Sequence, residues 1–210
     1  MARTKKRPPR PRGRAVVRDR MPKARVVFCV EGKTEEQYLR KLVEERYQGH
    51  VVPVFWGSSH RSSLKNLIQT VQRQSKTDDV GEGVWIICDS DQNSVHVAQL
   101  EEWLREDAKC HRVAVTNPCI EYWLLLHYVD SPRCSNAKAA VTELRKHLTG
   151  YVKGRPLPAD LLQRTNRAVE RERKRSVSFG NRGVWPDGKC SQIPLLIDWL
   201  DVLVERRRTG

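Results

Sequence analysis

A chain of 210 residues has room for one substantial core, and its formal net charge of +14 makes a polyanion the first partner to consider. Hydrophobic residues make up 39%, and no apolar run approaches the roughly 20 residues of a bilayer-spanning helix, which excludes a membrane helix and fits a soluble protein. The basic N-terminus lacks the apolar segment of a secretory signal, so the expected location is cytoplasmic.

The charge is unevenly spread. Residues 1–25 carry eleven Lys and Arg against Asp19 alone, a net of about +10, which leaves about +4 for the rest. Residues 1–24, rich in Arg and Pro, are expected to form a disordered basic tail that either holds phosphates nonspecifically or only solubilises the chain. Six cysteines stand without a CxxC or a Cys/His metal spacing. That argues against zinc and for reduced thiols, with Cys29 and Cys88 acting as small buried hydrophobes.

From Arg25 the pattern alternates between strand and helix. Arg25 to Val30 (RVVFCV) reads as a strand covered on both faces. Thr34 with Gln37 matches a capping box, and Tyr38, Leu39, Leu42, Val43 and Tyr47 recur at helical spacing until Gly49. Val51 to Phe55 is a short strand whose Pro53 marks an edge or a bulge. Leu64, Leu67, Ile68 and Val71 mark one face of a second helix, and Val84 to Cys88 (VWIIC) is a buried strand ending in Asp89. Ser94 to Glu106 reads as a helix and Arg112 to Thr116 as a fourth strand.

Asn117 and Pro118 supply an expected N-cap and first-turn proline for CIEYWLLLHY, a helix apolar almost all round and therefore buried. Asn136 to Leu148 is amphipathic, Leu161 to Arg175 is a basic helix, 176–192 a loop, and Pro194 to Val204 a closing helix. Repeated strand-helix units predict an α/β fold: a parallel sheet of about four strands flanked by helices, with a helical C-terminal part. The expected organisation is the tail at 1–24, an α/β core at 25–150, and a basic helical part at 151–210 packed on it.

Glu31 follows the first strand, and Asp89 and Asp91 follow the third, at the edge where open α/β sheets place ligands. Three carboxylates there suit one or two Mg2+ or Mn2+ ions, hard cations that prefer oxygen; helix capping or loop solvation is the other reading of Asp89 and Asp91. Glu121, a charge on an apolar helix, is a further candidate ligand or else an ion-pair or helix-dipole partner. His127 lies on a different azimuth and reads mainly as a core histidine, with phosphate contact or proton transfer as the other role. Lys33, beside a helix N-terminus, is a candidate phosphate contact or an exposed first-turn lysine. The local GKT is not a P-loop, because Val27 stands where the first glycine would be. Arg164, Arg167, Arg171, Lys174 and Arg175, with Arg182 and Lys189 in the following loop and Trp185 and Phe179 nearby, form either a nucleic-acid surface or a solvated helix face.

A strand running into Glu-Gly, a helix, and a later strand running into Asp-x-Asp resembles the Toprim domain of topoisomerases, primases and OLD-family nucleases. TNPCIEYWLLLHY, following VEGKTEEQYL and ICDSDQN, resembles the RloB family of bacterial proteins found beside restriction and phage-defence genes, over residues 25–130. The resemblance carries a metal-dependent phosphodiester centre to Glu31, Asp89 and Asp91, and implies a nuclease acting on DNA or RNA, with a defence-system partner protein. The alternative is a noncatalytic nucleic-acid-binding or adaptor protein with the same fold.

Overall fold

The computed structural model describes residues 22–57, 63–90, 96–175, 184–186 and 188–209. Most of the basic tail, together with Asp91, Phe179 and Arg182, lies outside the described residues. The chain runs β1 (Ala24–Val30), α1 (Lys33–Arg46), β2 (Val51–Trp56), α2 (Leu64–Gln74), β3 (Val84–Asp89), α3 (Val97–Glu106), β4 (His111–Asn117) and α4 (Ile120–Leu126). Then follow α5 (Ala137–His147), α6 (Ala159–Leu162), α7 (Thr165–Arg175), β5 (Cys190–Ser191) and α8 (Ile193–Thr209).

The sheet has the order β2-β1-β3-β4-β5, parallel across its first four strands. β1 and β3 are buried on both faces, as their continuous apolar runs require. Side-chain alternation divides the interior in two. Val27, Cys29, Val84, Ile86 and Cys88 pack against Leu64, Leu67 and Val71 of α2 and Leu100 and Trp103 of α3. Val26, Phe28, Val30, Trp85 and Ile87 pack on the other face with α1, α4, α5, α7 and α8. The C-terminal helices thus complete the same core as the first strand. Pro53 sits in β2, an edge strand, where its missing N–H costs no ladder bond on the open side. Burial pushes the thiols of both Cys29 and Cys88 up, to about 12 for Cys29, in keeping with inert core cysteines.

Several local expectations change. A short fifth strand, β5, pairs antiparallel with the end of β4 inside the expected 176–192 loop; two residues are too few to show a period. That pairing keeps Asn117 in β4, so it is not a helix cap: Pro118 follows a cis bond, and Cys119 occupies the cap position of α4 without a side-chain cap bond. The expected capping box of α1 is also absent. Gly32 is the N-cap, and the Thr34 hydroxyl instead accepts a bond from Gly154 N–H at 2.9 Å. Residues 161–175 form not one helix but α6 and α7, separated by a turn at Gln163 and Arg164; Leu161, Leu162, Ala168 and Val169 stay on the buried side, so the apolar pattern runs across the break. α8 continues five residues beyond Val204, to Thr209.

Candidate functional site

From β1 the chain passes outward to β2, then returns across the sheet to β3 and moves to β4. The direction of winding therefore reverses between β1 and β3, and the helices leaving the two strand ends diverge to open a crevice there. Glu31 and Asp89 stand at those ends. The Glu31 N–H donates to Ile87 O at 3.1 Å, continuing the ladder one residue past β1. The Asp89 N–H donates to the Glu31 carboxylate at Oε2, also 3.1 Å, so the two acidic strand ends are joined directly.

Asp89 is buried, and its Oδ1 accepts the Ile120 N–H at 2.8 Å, the first residue of α4. This carboxylate therefore does the capping work expected of Asn117. It also brings the next residue, Glu121, toward the strand ends. Glu121 is fully buried; Oε1 accepts the Tyr151 hydroxyl at 2.8 Å and lies 3.7 Å from Lys153 Nζ, while Oε2 has no hydrogen-bond partner. A fourth carboxylate, Glu35 in the first turn of α1, is also buried and has one unpartnered oxygen, Oε2. That oxygen lies close over Gly32, where a Cβ would meet it at 2.9 Å, so a side chain there would displace the Glu35 carboxylate.

The four carboxylates interact through a poorly solvated interior. Burial raises the Asp89 pKa well above the usual carboxylate range, and the charges of Glu35, Glu31 and Glu121 raise it further. Burial likewise pushes Glu35 up to about 7, with Glu121 and Glu31 adding to the rise and Lys153 opposing it. Burial works against the Lys153 charge, but Glu121, Asp89 and Glu35 outweigh it and its pKa is raised.

Of the sequence-derived candidates, Glu31 and Asp89 are joined directly, Glu121 follows the residue whose N–H bonds to Asp89, and Lys33 stands exposed at the start of α1 against Gly154. Asp91 and Arg182 lie outside the described residues. The residues of α7 do not join this group. Arg171 donates to Leu126 O at 2.8 Å and pairs with Asp130, at the far end of α4, about 8 Å along the axis from Glu121. Arg175 donates to Ser131, and Arg164 lies over the Tyr128 ring, whereas Arg167 and Lys174 are exposed. His127 is a buried core residue whose Nδ1 meets Trp123 O at 3.1 Å.

Sequence reasoning missed Glu35, Tyr151 and Lys153. Glu35 looks like any acid in a first helical turn; its spacing of four from Glu31 was the available signal. Tyr151 and Lys153 lie some 30 residues beyond Glu121, and only the fold brings them back.

The donor set suits a hard divalent cation: every acidic group is a carboxylate, two buried oxygens lack partners, and the mutual repulsion is of the kind that a bound cation relieves. Among the described residues, no group of three or more His, Cys, Asp and Glu side chains stands close enough together to hold a metal ion, and Asp91 lies outside the described residues. The fit therefore lies in donor chemistry and charge.

These features define an α/β protein with a carboxylate cluster at the switch point of a mostly parallel sheet. The family model for RloB-like protein matches residues 26–200, and the chain belongs to that family. No match is found among curated proteins or among solved structures. Among the described residues, no helix is long and apolar enough to cross a membrane.

Proposed function

We propose that this protein is a Mg2+- or Mn2+-dependent nuclease that hydrolyses phosphodiester bonds in DNA or RNA, and that it serves bacterial phage defence alongside a partner protein. The observation that carries the reading is the bond from the Asp89 N–H to the Glu31 carboxylate, which joins two acidic strand ends at one sheet edge, with α4 and its Glu121 tied to Asp89 through the Ile120 N–H. Glu31, Asp89 and Glu121 would hold the cation, with Asp91 as the further ligand read from sequence. When bound, such a cation supplies Lewis acidity and an activated water for in-line displacement.

The chain's own groups set the conditions for that chemistry. The Asp89–Ile120 bond fixes the carboxylate relative to α4, and the Asp89 N–H orients the Glu31 carboxylate. Glu35, buried in the first turn of α1, would add a fourth carboxylate beside the cation. Lys33, exposed beside Gly154, would contact a substrate phosphate. Arg167 and Lys174, with the basic tail, offer backbone contacts whose strength would fall with salt.

The test is cleavage of labelled single-stranded and duplex DNA and RNA with Mg2+, Mn2+ or chelator. The expected result is metal-dependent cleavage by wild type, with a loss of about 100-fold or more in Asp89→Asn and Glu121→Gln. Wild type that binds nucleic acid but cleaves none of the substrates would show the adaptor reading to be correct.

A further inference from the structure

The loop between α5 and α6 is held over the carboxylate cluster by bonds on either side of a single lysine. The Tyr151 hydroxyl donates to Glu121 Oε1 at 2.8 Å, and the Tyr151 carbonyl accepts Arg145 Nε at 3.3 Å. Gly154 N–H donates to Thr34 Oγ1 at 2.9 Å. Gly154 has φ +78°, and a Cβ there would lie 3.3 Å from Lys33 Cβ, so the loop closes against α1 at a position that favours glycine. The backbone of Lys153 is thus fixed between the N-terminal ends of α1 and α4.

Its side chain is not fixed in the same way. Lys153 Nζ lies 3.7 Å from Glu121 Oε1, beyond hydrogen-bond length, and the side chain is 54% exposed while Glu121 is fully buried. The ammonium also acts on Asp89 and Glu35, opposing the rise of both carboxyls. A lysine whose only task was to tie down a loop would make a short bond to a dedicated acceptor. This one is anchored at its backbone, and its partly exposed ammonium lies loosely over the buried Glu121 carboxylate, 3.7 Å away.

Resting on the reading of this cluster as a divalent-cation site, we infer that Lys153 is its tethered counter-ion, balancing the carboxylates in metal-free protein and competing with the cation for them. The flexible four-carbon stem lets the ammonium withdraw to solvent without disturbing the Tyr151 and Gly154 anchors. Lys153 therefore sets the metal affinity and keeps the metal-free site from repelling itself apart.

The experiment is Mn2+ titration of the full chain by calorimetry and electron paramagnetic resonance, together with thermal unfolding in chelator at pH 8, for wild type, Lys153→Met and Lys153→Arg. Lys153→Met is expected to bind Mn2+ about tenfold more tightly, because a like charge near the ion is gone. The same variant should melt at a lower temperature without metal, with less loss in a Glu121→Gln background. Lys153→Arg should restore both properties toward wild type. Unchanged or weaker Mn2+ binding by Lys153→Met, with wild type binding normally, overturns the counter-ion role and leaves the metal site standing. No Mn2+ binding by wild type overturns both.

Discussion

Asp89 uses one carboxylate for two purposes: its Oδ1 receives the first N–H of α4, and its charge belongs to the acidic cluster. Asparagine keeps an acceptor oxygen and removes the charge. Asp89→Asn is therefore expected to melt at or above the wild-type temperature in chelator at pH 8, whereas Asp89→Ala strands the Ile120 N–H and loses about 1–3 kcal/mol. Thermal unfolding of the two variants separates the roles; equal losses would mean that the fold itself needs the charge. His127 offers a second residue-scale test. Its Nδ1–H donates to Trp123 O, its ring packs edge-on to Trp123 and Tyr38, and burial pulls its pKa down to about 4, with Arg171 and Arg164 adding to the fall. The folded protein stays neutral there while the unfolded chain takes up a proton below about 6.5. The contribution is thus complete above pH 6.5 and is lost as pH falls toward 4, a change of about 3 kcal/mol at most. Asp89 and Glu35, whose pKa values are raised, act in the opposite sense, so the comparison must be with a variant. The urea midpoint of His127→Gln should gain on wild type between pH 7 and pH 4, and a constant difference would contradict a buried neutral imidazole.

At the scale of elements, α4 connects the site to the C-terminal helices. Its N-terminal end meets Asp89, its C-terminal carbonyl at Leu126 receives Arg171, and Tyr122 donates to the buried Glu172 of α7 at 3.1 Å. Glu172 also accepts the Ser191 N–H at 3.1 Å, so one side chain joins α4, α7 and β5. Glu172→Ala leaves both donors buried and is expected to cost about 2–4 kcal/mol in chemical unfolding. On the same helix, Arg167→Ala with Lys174→Ala should leave stability nearly unchanged while reducing the salt dependence of nucleic-acid binding. An unaltered salt slope would remove α7 from the proposed interface. The burial of α4 was legible in CIEYWLLLHY because no face of it is polar. Its start was not, because the partner of its first N–H is an aspartate 31 residues earlier in sequence. The cap of α1 was misread for a related reason: the Thr34 hydroxyl serves Gly154, 120 residues away.

For the whole molecule, the four parallel strands follow from apolar runs separated by helical periods, whereas the order β2-β1-β3-β4, which places Glu31 beside Asp89, comes from the fold. That both lie at one edge was readable because strand ends in a parallel sheet share one edge. Glu35, Tyr151 and Lys153 were not, since their places depend on α1 closing over the crevice and on a loop returning from beyond α5. The charge distribution sharpens the picture: the surplus positive charge is concentrated at the N-terminus, while the crevice collects buried acids with one partly exposed lysine over them. The most direct test of the account is the anomalous scattering of a Mn2+-soaked crystal. The account predicts an ion at the β1–β3 edge within about 2.1–2.3 Å of carboxylate oxygens from Asp89 and at least one of Glu31 and Glu121. An ion bound only elsewhere, or no ion at saturating Mn2+, would contradict it.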